Sequence, residues 1–189
     1  SFVAFRIFGV EAALGLGQTY LFPIEGYVYL ILLGFILALG GWLFQRGIFD
    51  IMPRIFMSLP IPRYLHGYIP FILLIIVGLG WTSMLGGGTS VIMTIAANEF
   101  ATSTLLFVLL VRFVLFQIAY GSGIPGGSLV PSLAFGALLG AIYGNIIIQL
   151  TGIEAHYLRN FVLYGMGGFF TATTKAPLTG IVLITELTG

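Results

Sequence analysis

Gly121-Ser122-Gly123-Ile124-Pro125-Gly126-Gly127-Ser128-Leu129-Val130-Pro131 lies inside a run from Phe113 to Ile153 that contains no charged residue. About 20 apolar residues already span a bilayer, so lipid-compatible sequence is interrupted near its middle by glycines and two prolines. Glycine frees the backbone and lets it approach a ligand. Proline in the first turn of a helix sacrifices no bond the helix would have made. The stretch reads as a break followed by a helix start near Ser128, with Ser128 as the expected cap and Pro131 in the first turn. Such a start frees the amides of Ser128, Leu129 and Val130 at the positive end of the helix dipole, an anion site without a cationic side chain. At membrane depth, broken backbone survives only where protein buries it or where it lines a cavity. The bland alternative is a tight turn between two spans at the membrane surface.

Composition sets the solvent. The chain has 189 residues, 59% hydrophobic and 7% charged, with a mean hydropathy of +1.11; a soluble domain carries about 25% charge. The fold class expected is all-α, a polytopic membrane protein. A net charge of +1 without a basic tract points to no nucleic acid. There is no cysteine and hence no disulfide framework. The first residues carry neither an initiating Met nor the basic region of a signal peptide, and the chain stops at Gly189 straight after an apolar run. Both ends are expected to be internal to a longer protein.

Outward from the central stretch, Thr102 to Tyr120 reads as a span carrying Arg112, and Leu129 to about Leu150 as the helix after the break. Gly136, Gly140 and Gly144 share one face of that helix, a spacing that lets helices approach closely in lipid. Toward the N-terminus, Ser1 to Tyr20 reads as the end of a helix and a loop, and Phe22-Pro23-Ile24-Glu25 as a turn. Tyr27 to Phe44 is a clean span, with Tyr27, Tyr29 and Trp42 as its aromatic belts. Gln45 to His66 is the most polar stretch. Pro53, Pro60 and Pro62 are expected to break any long helix there, and its arginines assign it to the cytoplasmic side; the loop around Glu11 and Glu25 is assigned outside. Gly67 to Leu85 is a further span, and Gly86-Gly87-Gly88-Thr89-Ser90 precedes a short helix, Val91–Ala97, with Thr89 or Ser90 as cap. Asn98-Glu99-Phe100 is a polar interruption. Toward the C-terminus, Thr151 to Arg159 is a polar loop, Asn160 to Thr174 a short helix, Lys175-Ala176-Pro177 a break, and Leu178 to Gly189 a last helix holding Glu186. Several segments are too short to cross about 30 Å of hydrocarbon, so tilted, broken and re-entrant helices are expected.

These motifs together resemble the second half of the membrane domain of the CLC family of chloride channels and chloride/proton antiporters. Pro125-Gly126-Gly127 with Pro131 resembles its pore signature, usually Gly-x-Phe-x-Pro; Leu129 stands where Phe is commoner, which spares the amides and removes an aromatic lining. Ser83-Met84-Leu85-Gly86-Gly87-Gly88 resembles its glycine triplet, and Arg112 an arginine in the helix before the pore loop. Most specific is Gly165-Met166-Gly167-Gly168, then Lys175-Ala176-Pro177-Leu178-Thr179-Gly180, then Thr185-Glu186-Leu187-Thr188. The likeness covers nearly the whole chain in order and spacing. Gly121-Ser122-Gly123-Ile124-Pro125 also looks like the family's first-half loop, but its spacing to Gly126, Gly127 and Pro131 assigns it to the second half, and Ser122 is not expected to be an anion ligand. A dinucleotide reading of Gly121, Gly123 and Gly126 lacks the strand it needs.

The resemblance implies the second of two inverted repeats, residues 1–189 being one fragment of the transmembrane domain. It implies anion (chloride) transport by a channel or an antiporter, with anion-binding amides at Ser128, Leu129 and Val130 and a pore loop of Gly126, Gly127 and Pro131. Fluoride, nitrate or an organic anion is the alternative cargo, and a structural subunit without a pathway the rival class. The partners implied are a small anion, the lipid bilayer, the N-terminal half of the same protein, and a second copy in a homodimer whose interface holds the helices containing Phe2–Phe8 and Leu178–Leu187. The gating glutamate, pore serine, proton-transfer glutamate and pore tyrosine of the family match no position here; Tyr120 lies close to the loop without aligning with that tyrosine. Glu186 and Arg112 are assigned structural roles first, and the Lys175 charge a weak role in attracting the anion. His66 and His156 are lone loop histidines. No metal, cofactor or enzymatic activity is expected, because no nucleophile–base pair or convergent ligand set is present.

Overall fold

The computed structural model describes residues 26–80, 88–97, 100–124 and 126–188. The expected N-terminal helix end, the turn at Phe22 to Glu25, the dimer-interface segment Phe2–Phe8, most of the glycine triplet and the Asn98-Glu99 interruption lie outside them. All regular structure among the described residues is helical: α1 Tyr27–Arg46, α2 Met52–Ser58, α3 Tyr68–Gly80, α4 Thr89–Ala97, α5 Thr102–Gly121, α6 Leu129–Thr151, α7 Leu158–Thr174 and α8 Pro177–Thr188. Among the described residues, four stretches are long and apolar enough to cross a membrane: Tyr27–Ser58, Arg63–Gly80, Thr102–Gly121 and Leu129–Thr151. The chain is an integral, multi-pass membrane protein, and α4 and α8 are too short to span at about 1.5 Å per residue.

Exposure follows the lipid solvent. On α1, Leu33, Leu37, Gly41 and Phe44 form the buried stripe, while Ile31, Phe35 and Leu39 are exposed and equally apolar. A helix apolar all round is what lipid on one side and protein on the other demands. The belt expected at its far end is occupied, with the Arg46 guanidinium 5.0 Å from the exposed Trp42 ring.

Prolines start helices rather than stop them. Pro131 is in the first turn of α6, Pro177 opens α8, and Pro70 lies in the first turn of α3, where no amide bond is forfeited. Pro53 departs from expectation. The chain stays helical from Tyr27 to Ser58, because a π-helical turn, Gly47–Ile51, precedes α2 and brings Pro53 into that helix's first turn. Pro60 and Pro62 do fall between helices. Against that π turn the Gln117 side chain of α5 donates from Nε2 to the Phe44 carbonyl, 3.1 Å away. A Cβ on Gly47 would overlap the Gln117 amide.

The core is built around α6. Within its spanning window 56% of residues are buried, against 22% or less in the other three spans, so α6 is the central element and the others face lipid. The glycine stripe does what its spacing implies. A Cβ on Gly136 would overlap the Gly165 carbonyl oxygen, one on Gly140 the Phe161 carbonyl oxygen, and one on Gly144 would lie 2.8 Å from Leu158 Cδ1. Backbone therefore meets backbone between α6 and α7. On one side of α6, Leu133, Ala137 and Ala141 pack with Ile92, Leu105 and Met166. On the other, Phe44 stacks on Phe116 at 5.1 Å and meets Phe135 and Phe169 edge-on at 5.3 and 5.5 Å.

Gly140→Val in the full-length protein is expected to lower unfolding free energy by about 3 kcal/mol, because the clash is with backbone and cannot be relieved by a rotamer. Gly34→Val, where an added Cβ meets nothing within 4 Å, is expected to stay within about 0.5 kcal/mol. Denaturant titration of the two variants in detergent checks the contrast.

Candidate functional site

The break after α5 is closed off locally. The Ser122 amide donates to the Ile118 carbonyl at 3.0 Å and the Gly123 amide to the Tyr120 carbonyl at 3.1 Å. Gly123 then turns the chain with φ of +84°, an angle that favours glycine. The Ser122 hydroxyl donates to the Ala119 carbonyl at 2.7 Å, so its proton is committed inside its own helix. Gly121 packs its missing side chain against Met52, which brings the end of α5 onto α2. Pro125 lies outside the described residues.

Gly126, Gly127, Ser128 and Leu129 are exposed, and Val130 and Pro131 are half-buried. A Cβ on Gly127 would meet nothing within 4 Å among the described residues. At the end of this loop α6 begins at Leu129. The first hydrogen bond runs from the Ser132 amide to the Ser128 carbonyl at 3.0 Å. Helix geometry therefore leaves the amides of Ser128, Leu129 and Val130 ahead of the ladder, and Pro131 has none to leave. The boundary predicted for this helix start is met to the residue.

The cap is not. Ser128 stands at the N-cap position, but its backbone is already helical, φ −96° and ψ −10°, and its side chain makes no capping bond. A capping serine needs an extended backbone to swing its oxygen over the following amides; with that geometry absent, the amides stay uncovered by the side chain. At α4 it is Gly88, φ +107°, whose carbonyl accepts from Ile92 at 3.0 Å, with Thr89 already inside the helix. A Cβ on Gly88 would lie 2.6 Å from Ala134 Cβ, so the end of the glycine triplet packs on the second turn of α6.

Arg112 reaches the same place. The position of that Gly88 Cβ is 3.6 Å from Arg112 Nη1 and 3.7 Å from the Val130 carbonyl oxygen. The arginine is buried, 9% exposed, and among the described residues its Nε and Nη2 have no hydrogen-bond partner. Sequence reading missed two other groups. Tyr120 donates its hydroxyl to the Gly126 carbonyl, and Gln117, 2% exposed, holds the π turn. The available signal was that Gln117 is the lone amide side chain of α5.

The remaining candidates sit apart from this loop. Lys175 has the left-handed angle φ 59° at the C-terminus of α7 and donates its amide to Thr171 at 2.8 Å. Its charge is thus well placed for the α7 dipole, where the sequence reading put it in a break just ahead of the next helix and gave it a weak role in attracting the anion. Glu186 is exposed near the end of α8. His66 contacts the Ile61 carbonyl at 3.1 Å, and His156 pairs with Glu154 at 2.9 Å. Among the described residues no three His, Cys, Asp or Glu side chains converge as a metal site would require.

Comparison with known proteins agrees in extent with this reading. The sequence profile of the family described as voltage gated chloride channel matches residues 1–189. The chain is 36% identical over 194 residues to the H(+)/Cl(-) exchange transporter ClcA of Klebsiella pneumoniae (strain 342), covering 100% of this chain and 41% of that protein. It is 33% identical over 199 residues to ClcA of Yersinia pestis, covering 100% of this chain and 40% of that one. The crystal structure of a slow cyanobacterial Cl-/H+ antiporter superposes with a TM-score of 0.82 at 26% identity, covering 98% of this chain and 44% of that chain. The chain spans about two fifths of the length of the curated relatives it matches.

Ser128→Ala in the full-length protein is expected to change unfolding free energy by less than about 0.5 kcal/mol, not by the roughly 1 kcal/mol of a working serine cap. Thermal unfolding in detergent reads the difference.

Proposed function

The chain belongs to the voltage gated chloride channel family, and on that premise we propose that it forms the second of two inverted repeats of a protein that moves chloride across a membrane in exchange for protons. In this reading the backbone amides of Ser128, Leu129 and Val130 hold the anion, and Gly126, Gly127 and Pro131 shape the loop that exposes them. The observation that carries it is the start of α6, where the ladder begins only at Ser132 and the Ser128 side chain makes no capping bond. Exchange rather than passive conduction is favoured because the relatives matched are named as exchangers.

The chemistry suits the cargo. Amide dipoles stabilise a partly dehydrated halide without the full charge that would trap it, and conduction needs binding weak enough to release. Arg112 adds a buried positive charge behind the helix start, with two N–H-bearing nitrogens unpartnered among the described residues, which favours an anion over a cation in front of it. The other wall of the pathway, with the gating and proton-transfer groups, is assigned to the first half of the protein. The role is transport, not catalysis. A homodimer with one pathway per subunit is part of the proposal, and the exposed Leu178, Ile181 and Val182 of α8 give that helix an apolar face suited to the contact.

Full-length protein in liposomes is expected to release chloride while driving protons the opposite way, both followed by electrode. Leu129→Trp is expected to cut that flux about tenfold or more by filling the space before the amides. Chloride release without proton movement would leave a channel, and normal flux in Leu129→Trp would remove the α6 start from the pathway.

A further inference from the structure

Apart from Ile124, whose Cδ1 lies 3.4 Å from where a Cβ on Gly67 would stand, the described residues of the loop between Gly123 and Ser128 have little holding them. A Cβ at Gly123 or Gly127 would meet nothing within 4 Å, and one at Gly126 would meet only the edge of the Tyr120 ring, at 3.8 Å. Glycines give such a segment many conformations, yet the proposed anion site needs its amides held in one. Among the described residues, the sole side-chain hydrogen bond made to this loop comes from the Tyr120 hydroxyl, which donates to the Gly126 carbonyl. Tyr120 is itself anchored. Its ring lies 4.6 Å from Phe116, and Phe116 stacks on the buried Phe44 at 5.1 Å. A chain of ring contacts thus runs from the core, through the last turn of α5, to one peptide group two residues ahead of Ser128.

We propose that Tyr120 is a positioning residue that sets anion selectivity by occupying the Gly126 carbonyl. The inference rests on the anion-binding role proposed for the start of α6. The physical reason is the sign of the dipole. Every peptide in the loop offers a hydrogen-bonding N–H or C=O to what passes, and a carbonyl oxygen free to face the pathway repels an anion as strongly as an amide attracts it. A hydroxyl donor neutralises that oxygen and fixes the peptide, so the loop contributes donors and no free acceptor at this point. Repulsion from an uncovered carbonyl grows with the charge density of the anion. Chloride is therefore penalised more than the larger, more diffuse thiocyanate when the hydroxyl is lost.

Tyr120→Phe keeps the ring contacts and deletes the donor. Full-length wild type, Tyr120→Phe and Leu129→Trp are reconstituted in liposomes, and efflux of chloride and of thiocyanate is measured on protein verified as folded and monodisperse. Tyr120→Phe is expected to lower the chloride-to-thiocyanate rate ratio by about threefold or more, the factor carried by one ordinary hydrogen bond. Tyr120→Leu, which also lacks the hydroxyl, is expected to move the ratio the same way and carries the test should the phenylalanine variant misfold. A ratio unchanged in both variants, or both anions slowed equally, overturns the role of Tyr120, while a block by Leu129→Trp in the same series keeps the anion site itself standing. Undiminished flux in Leu129→Trp overturns both.

Discussion

Two backbones in direct contact organise this molecule. Along α6, Gly136 and Gly140 leave room for the carbonyls of Gly165 and Phe161 on α7, and nothing larger than hydrogen fits between. Lipid is as apolar as a leucine side chain, so helices in a bilayer are held by close packing and hydrogen bonds rather than by escape from solvent. Small residues that bring two helices into backbone contact maximise the first. The pairing fixes the axis of α6, the most buried span, and with it the place where α6 begins. Everything proposed for the chain happens at that beginning. An anion site made of backbone amides has no side-chain freedom with which to adapt, so its geometry is as good as the packing of the helix that carries it.

Polar groups inside the bundle then act as ties between helices distant in sequence. The Tyr143 hydroxyl of α6 donates to the Tyr29 carbonyl of α1 at 2.8 Å. The Asn145 amide of α6 donates to the Phe100 carbonyl at 3.1 Å, and Gln117 of α5 to Phe44 of α1. Each adds a side-chain donor to a backbone carbonyl of another segment. The tie at Phe44 sits directly before the π turn, where the helix departs from its regular bonding. The Gln117 amide and Gly47 are a matched pair, one filling the space the other leaves.

The broad architecture was legible because lipid simplifies the code. Apolar runs bounded by glycine, proline and polar clusters marked α1, α3, α5 and α6, and the small-residue stripe on α6 declared its packing face. The start at Leu129 was legible from Pro131 and the glycines before it. What escaped notice depended on backbone angles and on hydrogen bonds that spacing does not announce. Pro53 looked like a breaker, since nothing local announces the π turn that absorbs it. Ser128 had the right identity for a cap and the wrong backbone angles, φ −96° and ψ −10°. Lys175 was read against the helix ahead of it, whereas its left-handed angle ends the helix behind. Tyr120 was passed over because it matched no pore tyrosine, yet its hydroxyl reaches Gly126, six residues on. Sequence spacing identifies elements well and cross-element hydrogen bonds poorly, because the bonds depend on how the elements come to rest against one another.

The central claim is that an anion rests on the backbone at the start of α6. Bromide substitutes for chloride and scatters anomalously, so crystals of the full-length protein grown in bromide test it most directly. The account predicts an anomalous peak within hydrogen-bonding reach of the amides of Ser128, Leu129 or Val130. Bromide peaks elsewhere in the pathway, with none at those amides, would contradict it.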